Sequence, residues 1–146
     1  MAAVRIRGGL DRLRYALLFE AILIVLMGIA LWALSDRPLS ETGTLAAILS
    51  AIAVIVALVY NYVLDRVDAY FGRVPTERST LGRIGHALGL EITLVGTSLP
   101  AIMWSMGWGF WQALTFDIAA IAFVVVYTYV FTFAYDKLFP VPQDGD

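Results

Sequence analysis

Four stretches of this sequence run for about twenty residues with almost no charge, the length that carries a helix across a bilayer at about 1.5 Å rise per residue. They are Tyr15–Leu34, broken only by Glu20; Leu45–Leu64, with no charge; Ile84–Trp104, holding His86 and Glu91; and Ala113–Tyr135, holding only Asp117. The connections between them are short. Residues 35–44 carry an Asp-Arg-Pro turn, 65–83 form one long polar loop, and 106–112 are rich in Gly and Trp. The first stretch reads as a span and not as a cleavable signal, since it contains a Glu and no small-x-small cleavage site precedes a soluble domain. The expected fold is therefore an all-α integral membrane protein with four transmembrane helices.

Composition agrees and excludes several function classes. The 146 residues are 60% hydrophobic and 15% charged, where a soluble domain is nearer half apolar and a quarter charged. A formal net charge of -2 lacks the basic signature of a nucleic-acid binder, so no nucleic-acid partner is expected and the lipid bilayer is the expected surrounding. Zero cysteines remove disulfides and thiolate chemistry. No nucleophile elbow or metal-ligand set is present, so neither an enzyme nor a cofactor is expected.

Basic residues near span ends stay on the cytoplasmic side. Arg5, Arg7, Arg12 and Arg14 precede the first span; Arg66, Arg73, Arg78 and Arg83 separate the second and third; Lys137 follows the fourth; Arg37 alone lies on the other face. Both termini are expected to be cytoplasmic. Trp32, Trp104, Trp108 and Trp111 fall near the opposite ends of the spans, where indoles anchor at headgroup level.

The second half repeats the first. Arg12 pairs with Arg83, Tyr15 with His86, Ala16 with Ala87, Glu20 with Glu91, Asn61 with Thr132, Asp65 with Asp136 and Arg66 with Lys137, each pair 71 positions apart. An ungapped match at both ends of the unit predicts two helical hairpins, residues 1–72 and 73–146, forming one membrane domain. Both hairpins start on the same side, as parallel repeats, an arrangement with which transporters build a site at the repeat interface; duplication for packing alone is the alternative.

An ionisable group within a span is costly and marks a candidate functional site. Glu20 is the sharpest case, with Glu91 at the equivalent place. A carboxyl there can hold a proton or a cation, which suits exchange of protons against a cationic substrate; a Glu hydrogen-bonded across helices to hold the bundle is the structural alternative. Asn61 and Asp65, and Thr128, Thr132 and Asp136, lie at i+4 spacing on the return helices. Turned inward, they would line a polar pocket in the cytoplasmic half, with Glu20 and Glu91 facing them. Asp65 and Asp136 lie at span ends, where an Arg-paired carboxylate is as natural as a ligand. Tyr60, Tyr62, Tyr127 and Tyr129 offer aromatic faces beside these stripes, for an organic cation or for packing.

Three secondary candidates follow. Imidazoles titrate near physiological pH, but His86 sits near a span end opposite Tyr15 in the repeat, which fits packing better than sensing. A hydrolytic pairing of His86 with Glu91 is disfavoured, because they lie about 140° apart around a helix. Asp117, whose counterpart is Ala46, either binds a departing cation or caps its helix. Gly85, Gly89, Thr93 and Thr97 make a small-residue stripe for close helix approach, between repeats or between subunits, and Pro100 is expected to kink the third span.

The segments Arg12-Leu-Arg-Tyr-Ala-Leu-Leu-Phe-Glu20 and Arg83-Ile-Gly-His-Ala-Leu-Gly-Leu-Glu91 resemble the R-x-x-H-A-x-x-F-E signature of the proteobacterial antimicrobial compound efflux family. The return helices, Tyr60-Asn61 through Asp65 and Tyr127 through Pro140, are similar to that family's second and fourth helices. Tyr15, Leu90 and Thr132 depart from its His, Phe and Asn. The resemblance implies a bacterial inner-membrane exporter of organic cations, such as chlorhexidine-like biguanides, acridine-type dyes or short-chain diamines. It also implies proton exchange, with Glu20 at the coupling position.

The expected function is thus proton-coupled multidrug efflux. The expected binding residues are Glu20, Glu91, Asn61, Asp65, Asp136, Tyr60, Tyr129 and Thr132, with His86, Tyr15 and Asp117 in secondary roles. A homodimer is expected, because four short helices enclose little volume. The rival reading is a non-transporting four-helix membrane scaffold or assembly protein.

Overall fold

The computed structural model describes residues 8–74 and 78–141, so Arg5 and Arg7 of the expected basic face lie outside the described residues. Four helices follow in order: α1 (Gly9–Ala33), α2 (Leu39–Tyr70), α3 (Thr80–Met106) and α4 (Phe110–Leu138). All four are long and apolar enough to cross a membrane. Each begins earlier than its apolar stretch; before the first three stretches the added turns bear Arg or Glu, which are good helix formers, and the breaks fall at capping and turn residues instead. Between α1 and α2, Ser35 Oγ donates to Leu31 O at 2.6 Å, and Pro38 is the N-cap of the next helix. The N-cap of α3 is Ser79, whose hydroxyl accepts the Gly82 N–H at 3.2 Å. Gly107 ends α3 with φ of 68°, a left-handed value that a residue without Cβ adopts at little cost.

The earlier start of α1 moves Glu20 from just inside the span edge to near mid-helix. Asp117 likewise lies two turns within α4, whose N-cap is Gly109; it does not cap the helix.

Neighbouring helices run antiparallel. Gly28 of α1 meets Gly43 of α2, where an added Cβ would lie 3.1 Å from the facing Cα, so this crossing is closed by two residues that have no side chain. Tyr60 of α2 donates to His86 O of α3 at 3.1 Å, and Tyr127 of α4 to Phe19 O of α1 at 2.8 Å. One end of the bundle thus holds the start of α1, the end of α4 and the α2–α3 loop; the other holds the two short connections.

The two ends are packed differently. The buried aliphatic core, including Leu31, Leu45, Leu99, Ile102 and Ala113, lies entirely toward the short connections. Toward the termini, aromatic rings join α1 to α4: Tyr15 and Phe19 stand edge-on to Phe131 at 5.2 and 5.3 Å. Arg14 closes this end, donating to the Tyr135 hydroxyl at 2.9 Å and stacking 3.8 Å above Phe139. Leu17, Ile55, Leu58, Ile92, Val125 and Val126 are exposed on the outside. Such a surface requires lipid, since apolar area left in water carries no stabilisation.

Trp32, Trp104 and Trp111 point outward, as headgroup anchors would. Trp108 departs from the expected belt: it packs on Phe116 at 5.6 Å and on the core, because the turn at Gly107 directs it inward. The small-residue stripe is also divided. Gly89 accommodates the Tyr60 hydroxyl, which an added Cβ would overlap, and nothing lies near Gly85. Thr93 and Thr97 bond back to their own helix, as threonines in apolar helices do.

Candidate functional site

A cavity of about 210 Å³ lies among all four helices, from the level of Glu91 toward the short connections. Its walls are mainly aliphatic, with Ser50, Glu91, Ser98 and Asp117 as polar residues and no Lys, Arg or His. Ser50 comes from α2, Glu91 and Ser98 from α3 and Asp117 from α4, each among aliphatic neighbours that line the same cavity.

Glu20 lies one layer behind this cavity, bonded to Ser50 Oγ, which donates across the α1–α2 contact. Glu91 lines the cavity itself, and its buried Oε2 has no hydrogen-bond partner among the described residues. The repeat supplies the reason. At the offset that relates Glu20 to Glu91, the residue matching Ser50 is Ile121, which lines the same cavity and donates nothing. An unsatisfied buried carboxyl is expensive, by about 1–3 kcal/mol or more for a charged group, so Glu91 is held in a state that favours a cationic or protic partner. Asp117, 8% exposed, accepts the Ser98 hydroxyl at 2.5 Å between α3 and α4.

The expected pocket of return-helix residues toward the termini does not form as one site. Asn61 is exposed and its amide donates to Ala57 O of its own helix at 2.8 Å. Asp65 is tied to Arg78 at 2.8 Å, and Arg78 also holds Asp68 at 2.8 Å. These acceptors, Asp68 first, raise the guanidinium above its ordinary pKa. Thr132 shares a hydrogen bond with Tyr15 at 2.8 Å, a clasp between α1 and α4. Thr128 bonds back to Val124 O. Asp136 and Tyr129 lie on the exposed surface, because the aromatic cluster takes the inward face of α4. Tyr60 stands edge-on to His86, ring centroids 5.3 Å apart, and the buried Nδ1 of His86 has no hydrogen-bond partner among the described residues. Among the described residues no three His, Asp or Glu side chains group as metal ligands.

Ser50 and Ser98 escaped the sequence reading. A hydroxyl costs little in a span and carries no charge signal; only its isolation in an aliphatic run, as for Ser50 within Leu45–Val59, could have marked it.

The family model for the chlorhexidine efflux transporter matches this chain twice, over residues 7–70 and 78–141. The two matches stand at the same offset as the repeated charges. A short-chain diamines transporter of Acinetobacter baylyi is 32% identical over 127 residues, covering 87% of this chain and 88% of the relative. One of Acinetobacter baumannii is 32% identical over 133 residues, covering 88% and 90%, and one of Vibrio parahaemolyticus is 28% identical over 130 residues, covering 89% and 91%. These relatives are transporters, not enzymes. No solved structure matches the chain.

Proposed function

The chain belongs to the chlorhexidine efflux transporter family, and on that premise we propose that it exports small organic cations in exchange for protons. The observation that carries this reading is the chemistry of the cavity: both of its ionisable lining residues, Glu91 and Asp117, are acids. A mainly aliphatic chamber with carboxyls and no fixed cation in its lining favours positive cargo, since electrostatic contacts strengthen as the local dielectric falls. Glu20, one hydroxyl away through Ser50, is the coupling residue. In the inward-facing state a cation displaces its proton; after reorientation, protonation releases the cargo. Asn61, Asp65, Asp136, Tyr60, Tyr129 and Thr132 serve the entrance to this path, where the bundle opens toward its termini, with Tyr15 and His86 in support.

Short-chain diamines fit the chamber best. About 210 Å³ falls below the roughly 300–1,000 Å³ of pockets for drug-sized ligands, so chlorhexidine-like biguanides and acridine-type dyes require a wider conformation. The protein resides in the bacterial inner membrane with both termini cytoplasmic, and a homodimer supplies enclosure that four helices lack.

The decisive experiment is transport by Glu20→Gln in energised vesicles. The expected outcome is loss of proton-driven diamine export; export at the wild-type rate overturns the mechanism. A purely structural Glu20, as its bond to Ser50 would also serve, predicts instead a fall in melting temperature without a specific loss of coupling. The scaffold reading of the whole chain is disfavoured by its membership of a transporter family.

A further inference from the structure

Glu91 and Ser98 lie seven positions apart on α3 and line the same cavity. Two helical turns return the side chain to within about 20° of its starting direction and about 10 Å further along the axis. Ser98 in turn fixes Asp117, its hydroxyl 2.5 Å from Oδ2. The cavity wall therefore holds two carboxyls about two helical turns apart: Glu91, with an unpartnered buried Oε2, and Asp117, 8% exposed and fixed at the level of Ser98. Between them the wall is aliphatic, with Leu94 and Val95 on α3 and Ala120 and Val124 on α4.

We propose that this is a two-ended site for an α,ω-diamine, in which Glu91 holds one ammonium, Asp117 the other, and Ser98 is the positioning residue that aims Asp117 into the cavity. The proposal rests on the organic-cation reading above and names the shape of cargo that the site selects. An extended four- or five-carbon diamine separates its nitrogens by roughly 6–8 Å, given covalent bonds of about 1.5 Å. A charge-assisted contact of about 2.8 Å at each end, set at an angle to the chain, brings the reach to roughly 10 Å. The methylenes then meet aliphatic wall, and both ammonium groups meet carboxyls. A monoamine satisfies one end and leaves the other carboxyl in an apolar chamber. Asp117 has no acidic counterpart in the first repeat, where Ala46 stands, so the second anchor exists on one side of the repeat axis alone.

The test is binding of 1,4-diaminobutane, 1,5-diaminopentane, 1,2-diaminoethane and n-pentylamine to the purified full chain, followed by calorimetry and by melting temperature. Wild type, Asp117→Asn and Ser98→Ala are compared. The four- and five-carbon diamines are expected to bind wild type at least about tenfold more tightly than n-pentylamine, since a hydrogen bond to a charged group is worth about 1.5–3 kcal/mol; the two-carbon diamine should behave as a monoamine. Asp117→Asn should bring diamine and monoamine within about twofold, and Ser98→Ala should give an intermediate ratio. Equal binding of diamine and monoamine by wild type, or undiminished preference in Asp117→Asn, overturns the proposal. If Asp117→Asn does not fold, the same series in Ser98→Ala and Glu91→Gln decides, and an undiminished diamine preference in both overturns the proposal. Binding of every amine without length preference, with Glu20→Gln still inactive in transport, defeats the two-ended site and leaves the transport reading standing; binding of none defeats both.

Discussion

Glu20 and Glu91 occupy matching positions in two copies of one hairpin, and they differ in their hydrogen bonding. Across from Glu20 stands Ser50, which donates to it; across from Glu91 stands Ile121, and Glu91 Oε2 is left without a partner. The ring pairs nearby keep the repeat: Tyr15 on Phe131 at 5.2 Å and 76°, His86 on Tyr60 at 5.3 Å and 67°, are equivalent pairs in nearly equivalent geometry. Duplication thus kept this ring contact and broke the polar symmetry beside it. Buried hydrogen bonding is satisfied locally, so one substitution can free a carboxyl without disturbing the aromatic contacts that set the helix positions.

Removing either of the two acids should have the largest effects. Glu20→Gln is expected to take proton-driven diamine export to background, whereas Glu91→Gln should weaken diamine binding by about tenfold, the loss of one charge-assisted contact, and leave coupling in place. Transport assays with an imposed pH gradient, run beside binding measurements, separate the two; equal defects in both readouts would show the acids to be interchangeable. Removing the hydroxyl with Ser50→Ala makes the first site resemble the second. It should cost about 1–3 kcal/mol of stability, because it orphans a buried carboxyl, read as a lower midpoint of thermal unfolding in detergent.

The reverse exchange, Ile121→Ser, gives Glu91 the partner that Glu20 has. A gain near 1 kcal/mol from the new bond is offset in part by lost apolar burial, about 25 cal/mol per Å² removed, so the melting temperature should shift little while diamine affinity falls. Unchanged affinity would mean that the free oxygen is not used. The smallest effect is expected for Tyr60→Phe. Its equivalent, Phe131, already lacks the hydroxyl, and the change removes one bond to His86 O, about 0.5–1.5 kcal/mol.

The two ends of the bundle show how far the residues themselves could be read. Charge-poor runs located all four helices, since a continuous apolar run of about twenty residues crosses lipid with its backbone satisfied as a helix, and the helix ends moved outward to caps such as Ser79 and Gly107. Glu20, Glu91 and Asp117 stood out because charge within a span is costly. The polar stripes at the other end were legible as stripes but not in their direction. Asn61 satisfies its amide on its own helix, and Thr132 is taken by Tyr15; i+4 spacing fixes a shared face and not what that face meets.

The sequence by itself determined the number of spans, the repeat and the scarcity of buried acids, all of which follow from local composition against the solvent that surrounds it. Only the tertiary structure decided which acid has a partner and where the cavity lies. Ser50 and Ile121 are 71 positions apart, and whether either faces a carboxyl depends on the rotation of each helix about its axis, which packing against neighbours sets and a span's own residues do not.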